Sequence, residues 1–228
     1  MKSAVLVAAG GLGTRLGPGA PKGLRELAGR SLVVHAVDRM AAVDGVVEVV
    51  VAAPEAHLAD VQRAIAGLSL PAGVELAVIV GGVLRQDSVR LMLDAIDDEI
   101  THVLVHDAAR SLTPTSVGDA VVDSLRAGND AVVPVIPVVD TVARIDGGAI
   151  TAQVPRSELA LVQTPQGFSR PLLQRAHAEC PPNHEATDDA SLVLRLGEPV
   201  VTVPGDPRAM KITTEPDFVV AAAWLESV

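Results

Sequence analysis

From one end of this chain to the other, short apolar runs alternate with stretches of helical periodicity. Ala4–Ala9, Val46–Ala52, Val74–Val80, His102–His106 and Ala131–Val135 read as strands. The stretches between them read as helices: Ser31 to about Ala42, Pro54 to about Gly67, Gln86 to about Asp98, and Pro114 to Ala127. Parallel neighbours cannot be joined by tight turns and need crossovers, so this order predicts an α/β fold with a doubly wound, mostly parallel sheet of Rossmann-like type. Composition agrees. Hydrophobic residues make up 49% and aromatics 1%, so the core must be aliphatic, as suits a sheet covered on both faces.

The rhythm breaks between residues 137 and 156. Val139–Ile145 and Ala149–Val154 flank Asp146-Gly147-Gly148, a hairpin-turn signal. No helix follows to cover that hairpin, and it reads equally as packed on its own sheet edge or as protruding to pair with another subunit. Beyond it come a strand-like Leu159–Val162, helices over about Ser169–Glu179 and Asp188–Leu196, a short strand Val200–Val203, and a last helix Glu215–Leu225. The expected organisation is one domain over 1–228, with 137–156 as an appended arm.

A formal net charge of −10 disfavours nucleic acid and anionic membranes as partners. No apolar run approaches the length of a membrane span, and Ala4–Ala9 is too short for a signal peptide core, so a soluble cytoplasmic protein is expected. Cys180 is the only cysteine, which excludes an intrachain disulfide and a cysteine-based metal site. Of 18 basic residues only Lys2, Lys22 and Lys211 are lysine. A compact ammonium on a flexible stem is a natural phosphate ligand.

Three segments carry candidate chemistry. The loop from Gly10 to Lys22 follows the first strand, where glycine lets backbone N–H groups approach phosphate oxygens. It fails the dinucleotide fingerprint, with Leu16 at the third glycine position, and the P-loop pattern, with Pro21 before Lys22. It offers two cations instead, Arg15 and Lys22, able to grip a polyphosphate. At the end of the fourth strand, Asp107 could hold Mg²⁺ and Arg110 could take an anion bidentately; an Asp107–Arg110 salt bridge is the plainer alternative. His106 beside them reads as a satisfied buried histidine. Gly81-Gly82 before a helix would allow close approach to a flat base, with Ser88 on its edge, or simply open that helix. Asp188 reads as a helix cap.

Taken in order, the motifs resemble those of the 2-C-methyl-D-erythritol 4-phosphate cytidylyltransferases of the non-mevalonate isoprenoid pathway. The resemblance rests on Ala8-Ala9-Gly10-x-x-Gly13-x-Arg15-x-Gly17 with Pro21-Lys22, and on Gly81-Gly82-x-x-Arg85-Gln86-x-Ser88-Val89. It continues through Val105-His106-Asp107-Ala108-Ala109-Arg110, Gln163-Thr164-Pro165-Gln166, Thr187-Asp188-Asp189 and Lys211-Ile212-Thr213. It implies a direct attack of methylerythritol phosphate on the α-phosphorus of CTP. It further implies Arg15, Lys22 and Lys211 as catalytic cations, and Asp107 on Mg²⁺. Ala8, Ala9, Gly10, Gly13, Gly82 and Ser88 would shape the nucleotide site, and Arg110, Thr164 and Thr187 would face the second substrate. Thr141 and Arg156 would reach from the hairpin into a partner's site, making a homodimer with composite active sites. Three departures from the family pattern are Ser111 for a common Pro, Gly23 for Gln, and Val83 for a polar residue. A ribitol 5-phosphate cytidylyltransferase is the nearest alternative, and a non-catalytic nucleotide-binding regulator a more distant one.

Overall fold

The structure, a computed structural model, describes residues 1–11, 13, 20–181 and 185–226. Its centre is a sheet built on β1 (Ser3–Ala8), which lies between β4 (Val46–Ala53) and β6 (His102–Asp107) and is parallel to both. β5 (Glu75–Val80) extends the sheet beyond β4. On the far side lie β11 (Gln166–Ser169), β7 (Ala131–Pro137), β10 (Ala160–Val162) and β12 (Val201–Pro204). Strand order reverses at β1: the chain steps outward through β4 and β5, then returns to β6. In open α/β sheets the carboxyl ends beside such a switch are where ligands bind.

Strict alternation along each strand sends side chains to two separate cores. Val5, Val7, Val49, Val51, Leu104 and Val132 pack under α1 (Leu32–Ala41), α2 (Leu58–Ile65) and α4 (Thr115–Arg126). Ala4, Leu6, Val50, Ala52, Val103 and Val105 pack under α3 (Arg85–Ala95), α5 (Arg170–Ala178) and α6 (Asp189–Arg195). A third, smaller cluster joins Leu27, Leu32, Leu112 and Ile212 to α7 (Glu215–Glu226). The strands expected from the sequence all form, with no end moved by more than three residues. Ser31 does sit at the start of α1, but its hydroxyl makes no capping bond; position alone opens that helix.

Three strands go beyond the sequence expectation: the two-residue β2 (Glu26–Leu27) and β3 (Arg30–Ser31), which pair with each other, and β11. β11 runs antiparallel between β6 and β7, within a sheet whose other strands, apart from β10, run one way. Gln166-Gly167-Phe168-Ser169 has neither a β-branched residue nor an apolar run, so pattern reading passes over it. Packing explains both features. A Cβ on Gly167 would lie 2.3 Å from Val121 Cγ1, so only glycine lets the strand pass beneath α4. Phe168, fully buried on the other face, supplies about 2–3 kcal/mol of burial in compensation.

The hairpin is a sheet of its own. Among the described residues β8 (Val142–Asp146) pairs only with β9 (Ala149–Val154), and both faces carry exposed residues, Ile145 and Ile150 among them at 74% and 71%. Gly147 and Gly148 have φ of +55° and +83°, the two left-handed positions that a two-residue primed turn requires. Val139–Thr141, assigned to the first strand from sequence, lie outside it. No helix among the described residues is long and apolar enough to cross a membrane.

Candidate active site

The site is a cleft of about 250 Å³ across the carboxyl ends of β1 and β6, at the reversal of strand order. Its floor consists of small residues: Ala8, Ala9, Gly10 and Gly11 after β1, and Ala108 and Ala109 after β6. Backbone bonds fix these strand ends to one another. The Ala108 N–H donates to Ala8 O at 3.1 Å, and the Ala9 N–H to Ala52 O at 3.0 Å.

Lys22 comes to this floor because the glycine loop closes on itself. The Lys22 N–H donates to Gly11 O at 3.1 Å, and Gly13, at φ +67°, passes so close that an added Cβ would meet the Lys22 Cβ at 3.1 Å. Gly13 therefore serves the cleft indirectly, by lying against Lys22; it is not a lining residue. Arg15 lies outside the described residues, so its expected place beside Lys22 is carried by sequence alone.

The opposite wall is the turn from β5 into α3. The N–H of Gly82 donates to Ser88 Oγ at 3.0 Å, and Ser88 Oγ lies 3.3 Å from Leu84 O. Any Cβ on Gly82 would collide with the Asp87 Cβ at 2.3 Å. Gly82 and Ser88 both line the cleft as expected, but the Ser88 hydroxyl spends its bonds on the turn, shaping the wall before it can touch a base. Val83, one of the departures from the family pattern, stands 99% exposed on the rim.

Asp107 is the electrostatic centre. Its carboxylate, 10% exposed, faces three cations. Arg85 Nε donates to Oδ1 at 3.0 Å, Lys211 Nζ to Oδ2 at 2.8 Å, and Arg110 Nε lies 3.9 Å from Oδ2. Burial by itself would push this carboxyl up; Arg85 first, then Lys211 and Arg110, instead hold it far below the usual carboxylate range. The simple Asp107–Arg110 pair anticipated from sequence is thus the weakest of three. Lys211 arrives from more than a hundred residues away because its segment is docked on β6: the Ile212 N–H donates to Ala109 O at 2.8 Å, and Arg110 Nη1 to Ala209 O at 2.8 Å.

Arg85 and Asp189 stand in the motifs of the family resemblance, which gave neither of them a role. Arg85 Nη1 donates to Asp189 Oδ2 at 2.6 Å, and Asp189, fully buried, meets His177 Nε2 at 3.1 Å through Oδ1. Despite its burial, Asp189 is held below its ordinary value by Arg85 and His177. Beyond the resemblance, the signals were an arginine three residues after a glycine pair and the second of two consecutive aspartates; both fit surface roles equally well.

The remaining expected substrate contacts lie off the cleft. Arg110 does not present a free fork, since Nη1 and Nη2 donate to the carbonyls of Ala209 and Val162. Thr164 is buried, accepting from the Asp107 N–H at 3.1 Å and bonded to His106 Nδ1 at 3.1 Å; it braces the end of β6. His106 is buried as expected but only half satisfied: Nδ1 meets Thr164, whereas the buried Nε2 has no hydrogen-bond partner among the described residues, and burial lowers its pKa to about 4. Thr187 is exposed beside α6, while Thr141 and Arg156 are exposed at the base of the hairpin. Arg156 Nη1 donates there to Val139 O at 2.5 Å.

Neighbours of Thr164 explain why Gln163 and Gln166 stand where they do. Gln163 grips both backbone atoms of Asp206, steadying the path to Lys211, and Gln166 ties Asp188 to the start of α6. A cleft with cations from both ends of the chain around one buried carboxylate, on a doubly wound sheet, is the architecture of a nucleotidyltransferase. The sequence profile of the 2-C-methyl-D-erythritol 4-phosphate cytidylyltransferase family matches residues 3–227.

The chain belongs to this family.

It is 46% identical over 231 residues to the 2-C-methyl-D-erythritol 4-phosphate cytidylyltransferase of Streptomyces coelicolor, covering 98% of this chain and 85% of that one. The Rhodococcus jostii enzyme of the same name is 46% identical, with 97% and 94% covered. Among solved structures, that of the Thermus thermophilus enzyme superposes with a TM-score of 0.79 at 36% identity, covering 99% of this chain and all of the other. As a member, the chain is a transferase of isoprenoid biosynthesis, and of the motif residues that are described, Ala8, Ala9, Gly10, Lys22, Gly82, Arg85, Ser88, Asp107 and Lys211 line one cleft.

Proposed function

We propose that this cytidylyltransferase joins CTP to 2-C-methyl-D-erythritol 4-phosphate, giving 4-diphosphocytidyl-2-C-methyl-D-erythritol and pyrophosphate. The observation that carries the reading is the convergence of Lys22, Lys211 and Asp107 on one small-residue cleft. A phosphate oxygen of the second substrate forms a bond to the α-phosphorus of CTP. The bridging oxygen between the α- and β-phosphorus leaves with pyrophosphate, so no proton need be removed from the nucleophile. Such a reaction asks the protein for alignment and charge neutralisation. Lys22, on the glycine-loop side, neutralises the triphosphate and leaving group. Lys211 moves from Asp107 to the phosphates, as its 42% exposed side chain and single ammonium contact with Asp107 permit. Ala8, Ala9, Gly10 and Gly82 leave room for the base and exclude a larger one.

Mg²⁺ fits the donor set. It commonly takes one or two carboxylates together with substrate phosphates, and Asp107 offers one buried carboxylate whose Oδ2 is matched only by movable or distant cations. When bound, the metal supplies positive charge to the phosphate oxygens; Asp107 holds it. We further infer a cytoplasmic homodimer in which Thr141 and Arg156 complete a partner's site. Support for the dimer comes from their exposure, their absence from the lining of their own chain's cleft, and a hairpin that, among the described residues, pairs only with itself.

Pyrophosphate release from CTP is the test, run with methylerythritol phosphate and ribitol 5-phosphate in parallel. Turnover with the former alone is expected. Turnover with ribitol phosphate alone would overturn the substrate, and nucleotide binding without turnover would overturn the reaction.

A further inference from the structure

Asp107 is approached unequally from its two sides. On Oδ1 lies Arg85 Nε, and that guanidinium is braced behind by Asp189, whose side chain is 1% exposed. Asp189 is in turn held by His177, 5% exposed, on a different helix. Three elements, α3, α5 and α6, therefore fix the position of Arg85. On Oδ2 lies Lys211, an exposed and flexible ammonium without a second anion behind it among the described residues. A carboxylate pinned through one oxygen and loosely matched at the other can turn only its second oxygen to a new partner. A rigid planar guanidinium that spans two carboxylates through different nitrogens also fixes the direction from which each is approached, which a point charge does not do.

We propose that Arg85 is a positioning residue for the reaction: anchored by Asp189, it holds Asp107 by Oδ1 so that Oδ2 faces the metal–nucleotide as Lys211 withdraws. This rests on the reading of Asp107 as the metal holder and extends it to a residue that need touch neither metal nor phosphate. Partners behind a metal-bound carboxylate set its orientation, and their loss commonly costs about 10- to 100-fold in metal affinity or activity.

The test uses the full chain with Arg85→Met, Arg85→Lys and Asp189→Asn. Steady-state kinetics are read beside Mn²⁺ affinity in the CTP complex, measured by electron paramagnetic resonance, with circular dichroism to verify folding. Arg85→Met should lower kcat by about 30-fold or more with KM for CTP changed less than about 3-fold, and weaken Mn²⁺ by about 10-fold. Arg85→Lys should recover part of both losses, and Asp189→Asn should show the same split with smaller size. Should Arg85→Met fail to fold, Arg85→Lys and Asp189→Asn carry the same comparison. Folded variants with wild-type kcat and Mn²⁺ affinity would overturn the inference. An Asp107→Asn control separates the two levels. Unchanged Mn²⁺ affinity in that variant would remove the metal site and the inference with it. Weakened affinity there, beside unchanged affinity in the Arg85 and Asp189 variants, would overturn the inference alone.

Discussion

The cleft and the hairpin arm belong to one chain but are built on opposite terms. In the cleft, Asp107 and Asp189 are buried, each matched by cations, and the backbone around them is pinned from several elements. In the arm, Ile145 and Ile150 are exposed and, among the described residues, the two strands pair only with each other. An isolated two-stranded hairpin is marginal in water. The charges of the cleft are thus held within their own chain, whereas the arm has little of its own chain to pack against among the described residues. The contrast teaches that reactive charge is set by the interior of one protomer, while in the proposed dimer the contacts to the second substrate come from a partner's arm.

The comparison can be broken most severely at Lys22. Lys22→Ala should lower kcat by at least about 10²-fold without unfolding the chain, as expected for loss of one electrostatic donor; a near-normal rate would remove Lys22 from the reaction. Mixing that variant with Arg156→Ala, after subunit exchange, should restore about a quarter of wild-type activity. Random pairing makes half of the dimers mixed, each with one intact cleft facing one intact arm. No recovery would dissolve the division between cleft and arm.

Smaller effects concern stability. Gly167→Ala should cost about 1–3 kcal/mol by urea unfolding, because the new methyl overlaps Val121 in the packed sheet side. Ile150→Thr on the arm should change unfolding of the isolated chain by less than about 0.5 kcal/mol while weakening self-association in sedimentation. A loss from Ile150→Thr as large as that from Gly167→Ala would show the arm to be part of the fold's own core.

Acid sharpens the same contrast. Asp107 and Asp189 both titrate below the ordinary value of 3.8 when folded. Below that value the unfolded chain takes up protons that the folded one refuses, so stability rises with pH there and falls on acidification. Urea midpoints should therefore drop between pH 5 and pH 3. Hydrogen exchange near β6 and α6 should open with that drop; unchanged exchange there would contradict the ion-pair account.

Much of the fold was legible because alternating and continuous apolar runs are local signals. Val46–Ala53 and Ala149–Val154 were visible in that way, and the Gly147-Gly148 turn followed from the positive φ that glycine alone adopts freely. β11 was not visible, since its place in the sheet depends on α4 passing over Gly167 and on a pocket for Phe168. Within the site, Asp107 was marked by its place at a strand end, Lys22 by its glycine-rich loop, and Lys211 by residue type and the family resemblance. Arg85 and Asp189 were hidden because a charge in sequence does not reveal whether its partner lies a hundred residues away.

By itself the sequence determined a doubly wound, aliphatic α/β fold, a hairpin without a covering helix, and a set of cations and one carboxylate suited to a nucleotide. It could do so because periodicity and residue chemistry are written within short windows. Only the tertiary structure decided which of those charges meet. Pairing strengths on Asp107, the inward bonding of Thr164 and Ser88, and the brace from His177 through Asp189 to Arg85 are set by distances between distant segments. Electrostatics at a few ångströms depends on those distances, and no local pattern encodes them.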